Sequence, residues 1–136
     1  MSSLKQKITT KDAPDALPHI FSQAIVANGF VYCSGSIAMH PETLKIVDGD
    51  VAAHTHQCIS NLSAVLKAAG SSLEHVVKVN VFLASMDDFQ AMNSSYESYF
   101  GEVKPSRTCV AVKTLPFQTD VEIECVAVLP PATGKL

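Results

Sequence analysis

The sequence predicts one α+β domain over residues 1–136, with a single sheet that carries two helices on one face. The chain has 136 residues, of which 47% are apolar, and this suffices for one buried core. Two segments repeat apolar residues at helical spacing, and the others alternate or are rich in β-branched residues. The predicted order is a β-hairpin followed by β-α-β-α-β-β, and this order favours the α+β class.

The first half of the chain supplies the hairpin and the longer helix. The polar segment through Pro14 and Pro18 predicts an arm or an edge strand. Asn28-Gly29 lies between apolar flanks, which is a strong hairpin signal, so we predict strands at 22–27 and 30–36. The next helix begins after Asp50 as N-cap and ends near Gly70. Its apolar positions at helical spacing are Val51, Thr55, Cys58, Leu62, Val65, Leu66 and Ala69.

The second half predicts two more strands around a second helix. The run 71–74 matches a capping box for a short turn, and the β-branched residues of 76–83 predict a buried strand. Ser85 is the expected cap of a helix, and Pro105 prevents that helix from continuing. We therefore predict strands at 107–113 and 121–129, with a turn at 115–119. The inner face of the second helix is predicted to hold Phe89, Met92, Asn93, Tyr96 and Phe100.

Two helices cover one face of this sheet, and no third long helix is predicted for the other face. The mean hydropathy is +0.20, and charged residues make up 17% of the chain. This composition indicates that some apolar surface is hidden by association. A second copy of the sheet, in a closed symmetric oligomer, is therefore the expected cover.

The charge and the ends of the chain exclude several classes of protein. The net charge of −3 attracts no polyanion, so nucleic acid is not an expected partner, and no apolar run is long enough for a membrane span. The start resembles neither a secretory signal nor a mitochondrial presequence. Four cysteines without a CxxC pair predict reduced thiols in the cytoplasm. Gly134-Lys135-Leu136 approximates a peroxisomal tail, although an ordinary chain end is favoured.

Two histidines of the first helix, His54 and His56, raise the question of a metal site. Residues two apart on a helix point to different faces, and no acidic or thiol ligand is in register with them. We therefore predict no metal site.

The densest group of reactive side chains lies near the C-terminus. Arg107 and Cys109 share one face of a strand, and Glu122 shares a face with Glu124. Arg107 can bind a carboxylate through two hydrogen bonds, and Glu122 can move protons, so the pair suits a small-molecule site. An ordinary structural ion pair remains the alternative. In a simple hairpin the two residues would lie about 16 Å apart, so a shared site requires another strand order or two subunits.

The motifs that bear on identity are spread over nearly the whole chain. They are Ser22-Gln23-Ala24, Ser34-Gly35, the helix end at 61–70, Val77-Lys78-Val79 with Val81-Phe82, Asp88-Phe89 to Asn93 with Tyr96, Pro105-Ser106-Arg107, Leu115-Pro116 and Glu122-Ile123-Glu124. Together they resemble the motifs of the RidA family, also called the YjgF/YER057c/UK114 family. The resemblance implies a chorismate mutase-like fold whose last two strands need not be neighbours, and a homotrimer with sites in the clefts between subunits.

The resemblance also implies an activity. It is the hydrolysis of 2-iminobutanoate and 2-iminopropanoate, or their enamine tautomers, to 2-oxo acids and ammonia without a cofactor. Arg107 would bind the substrate carboxylate and Glu122 would activate the attacking water, as the two catalytic residues. Phe21 replaces a pocket tyrosine of the family, and Ser36 replaces a glutamine that many relatives have. The further pocket residues are Phe21, Gly35, Phe89, Asn93 and Cys109.

Two other functions remain open at this stage. The family has also been described as endoribonucleases and translation inhibitors, although the negative net charge argues against strong RNA binding. A non-catalytic trimer that binds a small acid, or acts like a chaperone, is the third possibility, and the missing hydroxyl at Phe21 keeps it open. The expected partners are a small 2-imino or 2-oxo acid and further copies of the chain. A mitochondrial or peroxisomal location is the alternative to the cytoplasm.

Overall fold

A computed structural model describes residues 4–131, so the C-terminal tripeptide at 134–136 lies outside the described residues. Six strands form one sheet, and two helices pack on it. The elements are β1 (Gln6–Ile8), β2 (Ala24–Ala27), β3 (Phe30–Ser36), α1 (Val51–Ala68), β4 (Val76–Leu83), α2 (Phe89–Tyr96), β5 (Ser106–Ala111) and β6 (Val121–Val128). The α+β class is therefore confirmed, but the order of the elements differs in one place. The hairpin β2–β3 is followed directly by α1, and the additional strand, β1, precedes the hairpin instead of following it.

The strands follow the order β1-β2-β3-β6-β4-β5 across the sheet. All neighbours are antiparallel except β4 and β5, which are parallel. The N-terminal segment thus supplies an edge strand, as predicted. β4 lies between β5 and β6, so the last two strands do not form a hairpin, as the resemblance implied.

The turn and cap signals of the first half act as predicted. Asn28 and Gly29 have φ values of 52° and 81°, which is the left-handed pair that a two-residue hairpin turn requires. The Asp50 side chain accepts a hydrogen bond from Ala53 N at 3.1 Å and caps α1. Gly70, with φ of 89°, follows the last turn of that helix.

Three details of the second half differ from the prediction. No capping box forms, because Ser71 Oγ donates instead to Val128 O at 2.7 Å. α2 ends at Tyr96, yet Phe100 is buried because its ring packs 4.8 Å from the Tyr96 ring. β5 ends at Ala111 rather than at 113, since its partner strand β4 ends at Leu83.

The two faces of the sheet differ in their surroundings. On one face, strand residues such as Val79, Val81 and Ile123 are fully buried against the helices. On the opposite face, Tyr32 and Val110 are 47% and 43% exposed. The face that the sequence left without a helix is therefore open in the single chain. Within the described range 4–131, neither helix has the length and apolar character of a membrane span.

Candidate functional site

Arg107 lies on the helix-covered face of the sheet, because it pairs with the buried Val79 in the β4–β5 register. Its Nη1 donates to Asn93 Oδ1 at 2.7 Å. The guanidinium carbon lies 4.8 Å from the Tyr96 ring centroid and 5.7 Å from that of Phe89. These three partners follow each other at helical spacing on α2, so one helix face holds the guanidinium. We call these four residues the arginine cluster.

The arginine cluster holds a cation in a fixed orientation. Aromatic rings attract a guanidinium electrostatically, and Asn93 fixes one edge of its plane. A guanidinium has five N–H donors, so after the bond to Asn93 it retains donors for a second group such as a carboxylate. Burial raises the pKa of the Tyr96 hydroxyl to about 12, although nearby Arg107 opposes this shift. Tyr96 is therefore neutral near pH 7.

Cys109 follows Arg107 on the same face of β5 and is half-buried. Burial raises the pKa of its thiol, and Arg107 lowers it by a smaller amount. A thiol with a raised pKa is a poor nucleophile. Its position thus suits a lining residue rather than a reactive group.

Glu122 lies on the opposite, open face of the sheet. It pairs with Phe82 of β4 and alternates with the buried Val121 and Ile123. The β3–β6 register shifts between Cys33 and Ser36, and this irregularity brings Gly35 against the Glu122 carboxylate. A Cβ added at Gly35 would lie 2.9 Å from the Glu122 carboxyl carbon and closer still to one oxygen. Glycine at this position therefore leaves room for the carboxylate.

The Glu122 carboxyl group carries a perturbed pKa. Burial raises that pKa, and the nearby charge of Glu124 raises it further. In the part of the chain from 4 to 131, Glu122 has no hydrogen-bond partner, whereas Glu124 accepts from Asn80 Nδ2 at 3.0 Å. A carboxylate that is desolvated and unpaired is a stronger base than an ordinary glutamate.

A cavity of about 230 Å³ opens beside Glu122. It lies between the segment 13–23, the irregular part of β3, helix α1 and the turn at 116–117. Its lining is mainly apolar, and Phe21 lies on it with a half-exposed ring. We call Glu122, Gly35 and this cavity the glutamate cluster.

The predicted site residues thus fall into two groups that do not meet within one chain. Arg107 and Glu122 point to opposite faces, and their positions are two strands and three residues apart, which corresponds to about 14 Å between Cα atoms. As the resemblance implied, β5 and β6 are not neighbours, but this strand order does not bring Arg107 and Glu122 together within one chain. One group contains Phe89, Asn93, Arg107 and Cys109, and the other contains Phe21, Gly35 and Glu122.

Sequence reasoning missed one member of the arginine cluster. Tyr96 was interpreted as core alone, and its ring is indeed buried, but the ring also faces Arg107. The available signal was the polar Asn93 on an otherwise apolar helix face, between Phe89 and Tyr96. A partly buried amide on such a face indicates that a polar partner lies opposite.

The two histidines of α1 point in different directions, as predicted. His54 Nδ1 lies 2.8 Å from Asp120 Oδ1, and its Nε2 lies 2.8 Å from Val47 O. His56 instead contacts the hydroxyl of Tyr99. Among residues 4–131, no three His, Cys, Asp or Glu side chains are grouped so that they could hold a metal ion.

Comparisons with known proteins agree with the fold. The family model described as Endoribonuclease L-PSP matches residues 10–129. "Protein mmf1, mitochondrial" of Schizosaccharomyces pombe is 48% identical over 128 residues, covering 92% of this chain and 76% of that protein. The human 2-iminobutanoate/2-iminopropanoate deaminase is 40% identical over 134 residues, covering 98% and 97%. The crystal structure of yeast Mmf1 superimposes with a TM-score of 0.88 at 42% identity, covering 92% of this chain and 98% of that one.

Proposed function

This chain belongs to the RidA family, and from that membership we propose that it hydrolyses reactive 2-imino acids to 2-oxo acids and ammonia. The substrates in this proposal are 2-iminobutanoate and 2-iminopropanoate, the compounds in the name of the human relative. The observation that carries the proposal is the unpaired carboxyl group of Glu122 beside a cavity, with its raised pKa. The cation held by α2 supplies the complementary anchor.

In the proposed reaction, Arg107 binds the substrate carboxylate through its remaining N–H donors. Glu122 takes a proton from water as the water oxygen bonds to the iminium carbon and the C=N bond becomes single. The nitrogen then receives that proton from Glu122. As the C=O bond forms, the C–N bond breaks, and the hydroxyl proton passes to Glu122 and leaves with ammonia as ammonium.

This chemistry needs no cofactor, because an iminium carbon is already electrophilic. A positioned base and a held carboxylate are sufficient for attack by water. The remaining residues of the two clusters, Phe21, Gly35, Phe89, Asn93 and Cys109, shape the pocket in this proposal. Phe21 offers an apolar ring where the family has a hydroxyl.

The proposed assembly is a homotrimer of single-domain chains, 1–136, with a chorismate mutase-like fold. Two observations support a site shared between copies. Arg107 and Glu122 lie on opposite faces of one sheet, so one chain cannot offer both to the same substrate. The open face also exposes Tyr32 and Val110, which a second copy would cover.

The proposed location is the cytoplasm. The four cysteines are unpaired in the structure, which suits a reducing compartment. The name of the S. pombe relative makes the mitochondrion the main alternative.

A coupled assay with threonine dehydratase tests the proposed activity. Adding the protein is expected to accelerate the release of 2-oxobutanoate, and Arg107→Ala is expected to abolish the acceleration. Lys113→Ala is the matched control, since it removes an exposed cation from the same region. No acceleration by the wild-type protein would contradict the proposal. RNA cleavage that survives Arg107→Ala would favour the endoribonuclease alternative, which the family description keeps open.

A further inference from the structure

Two of the four cysteines, Cys33 and Cys125, lie directly opposite each other on neighbouring strands. They are partners in the β3–β6 register, so both side chains project from the same face of the sheet. That face is the one covered by the helices, where the two residues are 9% and 3% exposed. A hydrogen bond between the two thiols raises the pKa of Cys125, and burial raises it further. The two thiols are therefore in contact, and neither takes part in the proposed reaction.

The backbone geometry at this pair follows from a neighbouring hydrogen bond. Ser34 N donates to Gln23 O at 3.0 Å, so the main-chain groups of Ser34 face β2. Because successive residues of a strand direct these groups to opposite neighbours, those of Cys33 face β6. Cys33 and Cys125 thus form a hydrogen-bonded pair, in which the Cα atoms lie about 5.5 Å apart. Disulfides usually span Cα distances of about 4.4 to 6.8 Å, so the backbone permits a bond between the two sulfurs.

A disulfide at this pair would nevertheless be strained. In a hydrogen-bonded pair the Cβ atoms lie about 5.5 Å apart, whereas a disulfide holds them about 3.8 Å apart. Closing the bond would therefore draw β3 and β6 together or twist them locally. Strain of this kind makes a disulfide easier to reduce, so the bond between Cys33 and Cys125 would be reversible.

The other two cysteines lie too far from Cys125 to compete for it. Cys109 is two strands away on β5, and the registers on β4 place its Cα atom about 12 Å from that of Cys125. Cys58 Sγ donates to Val121 O at 3.8 Å, and that carbonyl lies about 13 Å from Cys125 along β6. A disulfide requires Cα atoms within about 7 Å of each other. Cys33 is therefore the partner that Cys125 can reach.

The pair also lies next to the part of the sheet that holds the glutamate cluster. The register shifts between Cys33 and Ser36, and Gly35 lies within this shift. Glu122 precedes Cys125 by three residues on the partner strand. The approach of Gly35 to the Glu122 carboxylate is so close that it leaves no room for a Cβ. A small displacement of β3 relative to β6 would therefore change the surroundings of that carboxylate.

We propose that Cys33 and Cys125 form a reversible disulfide when a peroxide oxidises the protein, and that this bond lowers the activity of the Glu122 site. The first part of the inference stands on the geometry of the pair alone, whereas the second part rests on the proposed function. The structure represents the reduced state, in which all four cysteines are free.

Hydrogen peroxide is the oxidant in the proposed step. Cys33, the more exposed of the pair, loses its proton as its sulfur bonds to one peroxide oxygen and the O–O bond breaks, which yields a sulfenic acid and water. The Cys125 sulfur then bonds to the Cys33 sulfur, the S–O bond breaks, and the hydroxide leaves with the Cys125 proton as water. The two thiols thus lose two electrons, and the peroxide is reduced to two molecules of water.

The test treats the reduced full-length protein with excess hydrogen peroxide for a range of times, because burial slows the oxidation of a thiol. Mass spectrometry of the intact chain is expected to show the loss of two hydrogen atoms. Digestion without reductant is expected to yield a peptide that links Cys33 to Cys125, and dithiothreitol is expected to reverse both changes.

Activity is measured on the same samples after catalase has removed the peroxide. The oxidised protein is expected to hydrolyse the imine from threonine dehydratase about tenfold or more slowly than the reduced protein, because displacement of a catalytic group reduces the rate. Treatment with dithiothreitol is expected to restore the original rate.

Single substitutions separate the effect of this disulfide from other oxidation. Cys33→Ala and Cys125→Ala each leave one thiol without its partner, and each is expected to retain after peroxide the activity that it had before. Cys58→Ala is the matched control, because it removes a buried thiol outside the pair and is expected to respond to peroxide like the wild type. Cys109 remains in all three variants, so its oxidation cannot explain a difference between them.

The outcomes separate this inference from the proposed function. Absence of a peptide linking Cys33 to Cys125 would overturn the inference, and so would a linked protein with unchanged activity. A loss of activity in Cys33→Ala or Cys125→Ala equal to that of the wild type would also overturn it. If the reduced protein does not accelerate imine hydrolysis, the proposed function fails and the regulatory part with it, whereas the linked peptide still decides whether the disulfide forms.

Discussion

The arginine cluster and the glutamate cluster hold their charged groups in opposite ways. Arg107 is fixed by a hydrogen bond to Asn93 and by two aromatic rings of the same helix. Glu122 has no such partner within the described part of the chain, and it lies beside empty apolar space. The cation is therefore stabilised in one orientation, whereas the carboxylate is left desolvated and reactive.

This difference suits the two tasks that the proposed reaction assigns to Arg107 and Glu122. A group that positions a substrate benefits from rigid support, since misplacement reduces the rate. A group that takes and returns protons benefits instead from a raised pKa, which burial and Glu124 give to Glu122. A substitution in one cluster can therefore change the properties of its charged group without changing those of the other cluster.

The largest expected effect on activity comes from variants that each lack the charged group of one cluster. Arg107→Ala and Glu122→Gln are each expected to lower kcat/KM by a factor of about 100 or more. If every site takes one group from each of two copies, random co-assembly of the two variants restores about a quarter of the wild-type activity. The measurement is the imine hydrolysis rate after co-refolding.

The control for this experiment is a mixture of two separately refolded variants, which cannot share sites. Activity that stays absent after co-refolding, in oligomers of verified mixed composition, would show that the two groups do not act across an interface.

An intermediate effect on activity is expected when the guanidinium of Arg107 loses its hydrogen bond to Asn93. Asn93→Ala removes a hydrogen bond to a charged group, which contributes about 1.5 to 3 kcal/mol, so kcat/KM is expected to fall by about tenfold or more. KM should account for most of the loss, because Arg107 binds the substrate carboxylate in the proposed reaction. Gln90→Ala, at an exposed position of the same helix, is the matched control. A wild-type KM in Asn93→Ala would show that this bond does not serve binding.

The smallest expected effect concerns the charge next to Glu122. Glu124→Gln removes a like charge that raises the pKa of Glu122, so this pKa is expected to fall. Since the proposed reaction requires Glu122 to be deprotonated, the acid limb of the kcat/KM profile should move to lower pH. Glu102→Gln, in an exposed loop, is the control. A shift to higher pH, or none, would exclude this electrostatic coupling.

Local signals in the sequence were sufficient for most elements of the fold. Asn28-Gly29 fixes the hairpin and Asp50 fixes the start of α1, because each acts within a few residues of its own position. The capping box at 71–74 failed because Ser71 found an acceptor on β6, a strand about 57 residues away in the chain. A pattern of four consecutive residues cannot show that a distant strand offers a competing hydrogen-bond acceptor.

The candidate site was predictable as a set of residues but not as an arrangement. Strand alternation predicts that Arg107 shares a face with Cys109 and that Glu122 shares one with Glu124, and the registers agree. It does not predict how far apart the two groups lie, because that depends on the strand order, in which β4 separates β5 from β6. The role of Tyr96 stayed hidden because burial and contact with Arg107 require the same helical spacing. The cavity was not predictable, since its walls come from five separate segments.

The buried amide of Gln23 bears on which residues near the cavity can be substituted. The Gln23 side chain makes the hydrogen bonds that a neighbouring strand would otherwise make. It donates to three carbonyl oxygens of residues 10–14 and accepts from one N–H of the same segment. The residues just beyond, 15–20, are largely exposed, and two of them border the cavity. Substitutions at these two positions would therefore change the shape of the cavity while leaving the hydrogen bonds of Gln23 to residues 10–14 in place.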